Sequence, residues 1–182
     1  MKSAAYDRAY LEAIQSVLED YLHAQDLYWM LRAEPPKGEP PFPCLTLGNV
    51  LLAYTRLRAR SSAEAEALFA PIAQLREQWR TAWNKKARHE LQSRLQCWAD
   101  YLHEYETDPA QAAYYTYQVR QRVIVELLAQ DLGGWPEAEA DLCHRLDRVL
   151  RASFAPGPFI WDKDLAPAFP AGPFWFLYGH PK

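Results

Sequence analysis

FAPGPFIWDKDLAPAFPAGPFWFLYGHPK, residues Phe154 to Lys182, closes the chain with eight aromatic residues and six prolines in 29 positions. Proline fixes φ and removes a backbone donor, so this segment cannot coil into a helix. Phe159, Trp161, Phe169 and the run Phe174-Trp175-Phe176 are too apolar to stay in water, and must bury against the chain's own body or a second copy of it. Nearly everything before Phe154 reads as amphipathic helix. The contrast predicts an all-α antiparallel helical bundle of five or six helices, strapped by proline-rich irregular segments at residues 34–45 and 155–182. The expected division is a bundle domain over residues 1–154 and an aromatic, extended tail over 155–182 that packs on the bundle or on a partner subunit.

Working back toward the N-terminus, Asp108-Pro109-Ala110-Gln111 carries a capping residue followed by a first-turn proline, and predicts a helix running to about Leu132. Gly133-Gly134 ends it, and Pro136 opens a last helix to about Phe154 with Leu142, Leu146, Val149 and Leu150. Residues 62–106 read as one helix or two. Leu68, Ile72, Leu75 and Trp79 share one direction, but Leu91, Leu95, Trp98 and Leu102 point about 130° away, so a bend or break is expected near Asn84-Lys85-Lys86. The basic run there reads as a solvated elbow. Thr46 to Arg60 reads as a helix with Leu47, Val50, Leu51, Tyr54 and Leu57 inward, and its arginines Arg56, Arg58 and Arg60 suit a helix C-terminus.

Residues 4–33 contain neither proline nor glycine, and Tyr10, Ile14, Val17, Tyr21, Ala24, Tyr28 and Leu31 recur at steps of three and four. One long central helix is expected, ended by the five prolines of EPPKGEPPFPC, residues 34–44. No strand is expected with certainty of partner; Phe174 to Tyr178 is the one stretch that could lie extended.

Composition is that of an ordinary globular chain, with 49% hydrophobic and 24% charged residues. Aromatics reach 14%, chiefly 11 Tyr and seven Trp, which suit interfaces and pockets as well as wide gaps between helices. A formal charge of −3 argues against nucleic acid and anionic membrane as partners. MKSAAYDRAYLEAIQ has no continuous apolar region of the kind a leader carries, and no run is long enough to span a bilayer. Cys44, Cys97 and Cys143 are odd in number and widely spaced, which fits reduced thiols and a cytoplasmic location.

Asp-x-x-His occurs three times, at Asp20–His23, Asp100–His103 and Asp141–His144. In a helical bundle such spacing brings to mind inward-facing carboxylate and imidazole ligands, so a metal-dependent bundle enzyme is a distant third reading. Counting about 100° per residue, all three histidines lie far from their apolar stripes, and the pairs are expected to point outward. No nucleophile elbow, phosphate loop or dinucleotide fingerprint is present, so no catalytic residue and no cofactor is assigned.

Polar residues inside apolar stripes remain. Arg120 and Gln121 fall on the face set by Tyr114, Tyr117, Ile124 and Leu128, and Gln25 and Arg32 fall on that of the first helix. A buried arginine needs an ion pair or an acidic ligand. Two functions follow. The leading one is a non-catalytic interaction or scaffold protein that self-associates as a homodimer, with the tail exchanged or docked. The alternative is a binder of an acidic or aromatic small molecule, in a pocket between helices lined by Tyr21, Gln25, Tyr28, Tyr117, Arg120 and Gln121.

Overall fold

The computed structural model describes residues 2–182 and is mostly helical, with seven α-helices, three short 3-10 helices and one two-stranded sheet among the described residues. The chain divides into two compact units, one running to Glu90 and the other from Leu91 to Lys182.

In the first unit, α1 (Ala4–Gln15) begins at Ser3, whose hydroxyl accepts the Tyr6 amide. It buries Tyr6, Tyr10, Leu11 and Ile14. The continuous helix expected over residues 4–33 does not form. It breaks at Ser16-Val17, resumes for α2 (Leu18–His23), and stops where Ala24 turns extended. Beyond Tyr21 the heptad-like spacing has no core to face: Tyr28 is 43% exposed, and Ala24 and Leu31 are only half-buried. Trp29 instead pairs as an extended residue with Leu45, each amide donating to the other's carbonyl at 3.1 and 2.7 Å. A ladder bond to the proline-rich connector thus competes with helix and wins, because the helix would bury little.

The helix expected from Thr46 forms as α3 (Leu47–Arg60), capped by the Thr46 hydroxyl on the Asn49 amide. The buried Glu90 carboxylate accepts the Gly48 N–H at 2.7 Å, adding a negative charge at the positive end of the helix. Its arginines are not simply solvated. Arg56 is 7% exposed and grips the fully buried Asp7 of α1 through Nε and Nη2, with Arg60 3.7 Å from the same carboxylate. Burial pushes the Asp7 carboxyl above its usual value, against the opposing pull of the two arginines.

α4 (Ser62–Gln78) and α5 (Arg80–Thr107) break at Trp79, five residues before the expected elbow. Lys86 is not solvated: its ammonium reaches the Asp26 carbonyl and lies 4.4 Å from the centre of the Tyr21 ring. Residues of α5 from Leu91 onward belong to the second unit.

There Leu91, Leu95, Trp98 and Leu102 are all buried, as their spacing predicts. Asp108 caps a 3-10 helix over Pro109–Tyr114, and α6 (Tyr115–Asp131) follows it. Gly133 and Gly134 end α6 with φ of +81° and +146°, the positive values that a helix stop of this kind requires. α7 (Glu137–Ser153) buries Cys143 and Leu150.

The tail is part of this unit's core. β1 (Phe154–Phe159) pairs antiparallel with β2 (Tyr178–Pro181), with a register irregularity between Pro156 and Phe159. Leu165, Phe169, Phe174, Phe176 and Leu177, from the connection between the strands, are each at most 3% exposed. Phe174 to Leu177, where an extended edge was conceivable, is turn and 3-10 helix instead, and the strand starts at Tyr178. The Tyr115 hydroxyl donates to the Phe176 carbonyl at 2.6 Å, and that of Tyr105 to the Lys182 carbonyl at 2.6 Å. No helix among the described residues is long and apolar enough to cross a membrane.

Candidate functional site

α6 and α7 carry the polar chemistry of the second unit. Val119, Val123, Ile124, Val125, Leu127 and Leu128 make the C-terminal part of α6 apolar nearly all round, and Arg122 is set among them at 4% exposure. Its Nε and Nη2 donate to the two oxygens of Asp147 on α7, each at 3.0 Å, and its Nη1 donates to Glu126 at 3.0 Å. The fork matches a carboxylate bidentately, and the guanidinium also lies 4.6 Å from the centre of the Phe176 ring. Burial opposes the charge, but the bonds and field of Asp147 outweigh it and hold Arg122 above its usual value. The neighbouring Cys143 thiol is pushed up to about 12 by burial, so it stays protonated and inert.

A cleft of about 290 Å³ opens over this network, with Trp135 and Trp175 in its wall. Arg151, two turns beyond His144 on the same face of α7, sits over Trp175, its guanidinium carbon 3.7 Å from the ring centre. His144 lines the cleft as well.

The expected site residues fall elsewhere. Tyr21 is buried under Lys86, its hydroxyl spent on the Leu27 carbonyl at 3.1 Å, while Gln25 and Tyr28 are exposed. Tyr117 on α6 is 72% exposed and Tyr114, at the end of the preceding 3-10 helix, 60%, so the face expected to point inward points out. Arg120 and Gln121 are half-buried, and Gln121 accepts from Arg94 at 3.0 Å. The buried arginine anticipated on this helix exists, but it is Arg122. Spacing on α7 could have located its partner: Cys143, Asp147 and Leu150 recur at four and three, which puts an aspartate in the middle of an inward row.

Tyr114 and Tyr117 form a second feature. Between them the Thr116 carbonyl accepts the Trp161 indole N–H at 3.1 Å, which ties a tail aromatic to the same helix end. No charged residue occurs from Pro109 to Val119. The three Asp-x-x-His pairs are exposed on both partners, as their spacing predicts. No family model, no curated protein and no solved structure matches this chain.

Proposed function

We propose that this chain is a non-catalytic interaction protein that self-associates as a homodimer, built on an antiparallel helical bundle and working in the cytoplasm. The exposure of Tyr114 and Tyr117, at 60% and 72%, carries the reading. Two neighbouring tyrosines on one helix end offer large, rigid, amphipathic area at low entropic cost, and such residues are enriched in interface cores. The lack of charge from Pro109 to Val119 favours an identical surface as partner over a charged one, since a two-fold contact places like beside like. The tail is spent on its own chain, so the dimer forms through the tyrosine face and not by tail exchange. Three free cysteines accord with a reducing compartment.

Sedimentation velocity tests this. Wild type is expected to run at twice the 21.1 kDa chain mass at roughly 50 μM, and the double variant Tyr114→Glu, Tyr117→Glu as a monomer with an unchanged far-UV spectrum. A wild-type monomer at that concentration, or a dimer that survives both substitutions, removes the proposal.

A further inference from the structure

The charges of the cleft are unevenly satisfied. Arg122 is met by two carboxylates, and the Glu126 oxygen it leaves accepts from Gln130 at 3.3 Å. The floor is therefore closed, with one net negative charge from one cation and two anions. Arg151 differs. Among the described residues its guanidinium has a ring contact with Trp175 and no carboxylate or hydrogen-bond acceptor. The ring contact restrains the group and leaves its N–H donors, to which a carboxylate binds bidentately, without a protein partner. Around it lie indole from Trp135 and the ring of Pro173, with a His144 ring as a further polar group.

We propose that this cleft binds a small aromatic monocarboxylate, its carboxylate on the edge of Arg151 and its ring along the wall formed by Trp135 and Pro173. Three chemistries are separated by the residues present. A cation is disfavoured because the oxygens that would hold it already accept from Arg122, and because Arg151 covers the Trp175 face that would otherwise stack on it. A phosphate is disfavoured because its second charge would be repelled by the surplus carboxylate of the floor. A single negative charge can stay at the rim with Arg151, while a flat ring buries apolar area against flat walls. Its contact with Trp175 restrains the guanidinium and reduces the ordering cost that a free arginine would add.

The test uses 1-naphthoate as the probe, 1-naphthamide as its uncharged counterpart and inorganic phosphate as competitor, followed by ligand-observed NMR on the full chain. Naphthoate is expected to bind saturably with Kd on the order of 1 mM, and naphthamide at least about tenfold more weakly. Arg151→Gln is expected to reduce naphthoate to the level of naphthamide, and Arg151→Lys, which keeps a charge without the fork, to retain part of the preference. Arg151 is exposed, and the far-UV spectrum confirms that each variant folds; should the Gln variant not fold, the Lys variant and the naphthamide comparison still decide. No saturation by about 10 mM, equal binding of naphthamide, wild-type affinity in Arg151→Gln, or displacement of naphthoate by equimolar phosphate each overturns the site.

Discussion

Arg122 is held by Asp147 and Glu126, whose side chains are 14% and 12% exposed, so its removal leaves two carboxylates facing each other with little water. Breaking a buried pair from one side costs about 3–5 kcal/mol, and the partial access of water to both acids here lowers the expectation to roughly 2–4 kcal/mol for Arg122→Met. Asp147→Asn, which keeps the shape and relieves the repulsion, is expected to restore part of that loss when combined with it. Urea unfolding of the two single variants and the double variant measures this; a cost for Arg122→Met below about 1 kcal/mol shows that solvent already screens the network. A buried arginine on this helix is legible in the sequence, because a cation among valines and leucines must find a partner. Its position is not. Ile124 and Leu128 point the reading toward Arg120, yet α6 is buried nearly all round in its second half, so these two residues discriminate no face. In the first half Tyr115 turns in while Tyr117 turns out, and the 3-10 turn that ends at Tyr114 takes that residue out of the α-helical phase.

Among elements, the ones whose ends carry their own chemistry are the ones the sequence discloses. Thr46 caps α3, Gly133 and Gly134 close α6, and each boundary stands within a residue or so of expectation. The stretch from Ala24 to Ala33 has no such signal. Its spacing suits a helix, but what it does depends on a distant strip around Leu45, which local periodicity does not register. The tail shows the same division. Six prolines rule out helix, but the pairing of Phe154 with Pro181 and of Ala155 with His180 joins strands whose partners no turn motif announces. Removing the tail by truncation after Ala155 deletes Phe169, Phe174, Phe176 and Leu177, all at most 3% exposed. At about 1.5–3 kcal/mol each, as an upper bound, the loss is roughly 6–12 kcal/mol, comparable to the whole stability of a domain. Circular dichroism of the truncated chain is therefore expected to show lost helix as well as lost strand; full retention of the helical signal means the tail is an appendage.

On the scale of the whole chain, the titratable groups with shifted ionisation are distributed unequally between the two units, and alkaline pH should separate their stabilities. Burial raises Cys143 from 9.0 and Tyr101 from 10.0 to about 12 each, and raises Tyr115 further, all in the second unit. For each, the folded form holds its proton while the unfolded form releases it. The stability they lend is complete below the ordinary values of 9.0 and 10.0, and is lost as pH climbs from there toward the raised ones. In the first unit Lys86 runs the other way: burial lowers it, so its folded form sheds a proton more readily and stability rises as pH approaches 10.5. Tyr54, also raised, acts in the opposite direction. Cysteine alkylation reads the difference residue by residue. Cys143 is buried in the second unit, Cys97 is exposed in the same unit, and Cys44 lies half-buried in the first. Dividing each rate by that of Cys97 in the same tube removes the intrinsic pH dependence of thiolate chemistry. Between about pH 8 and 11 the relative rate at Cys143 is expected to rise at least about tenfold, since each unit of pH above the unfolded value shifts the equilibrium up to tenfold per group, while the relative rate at Cys44 stays nearly level. A flat Cys143 ratio up to pH 11 would mean that water reaches these groups in the folded second unit. A parallel rise at Cys44 would mean that the two units unfold as one, and that the division at Glu90 and Leu91 is geometric without being thermodynamic.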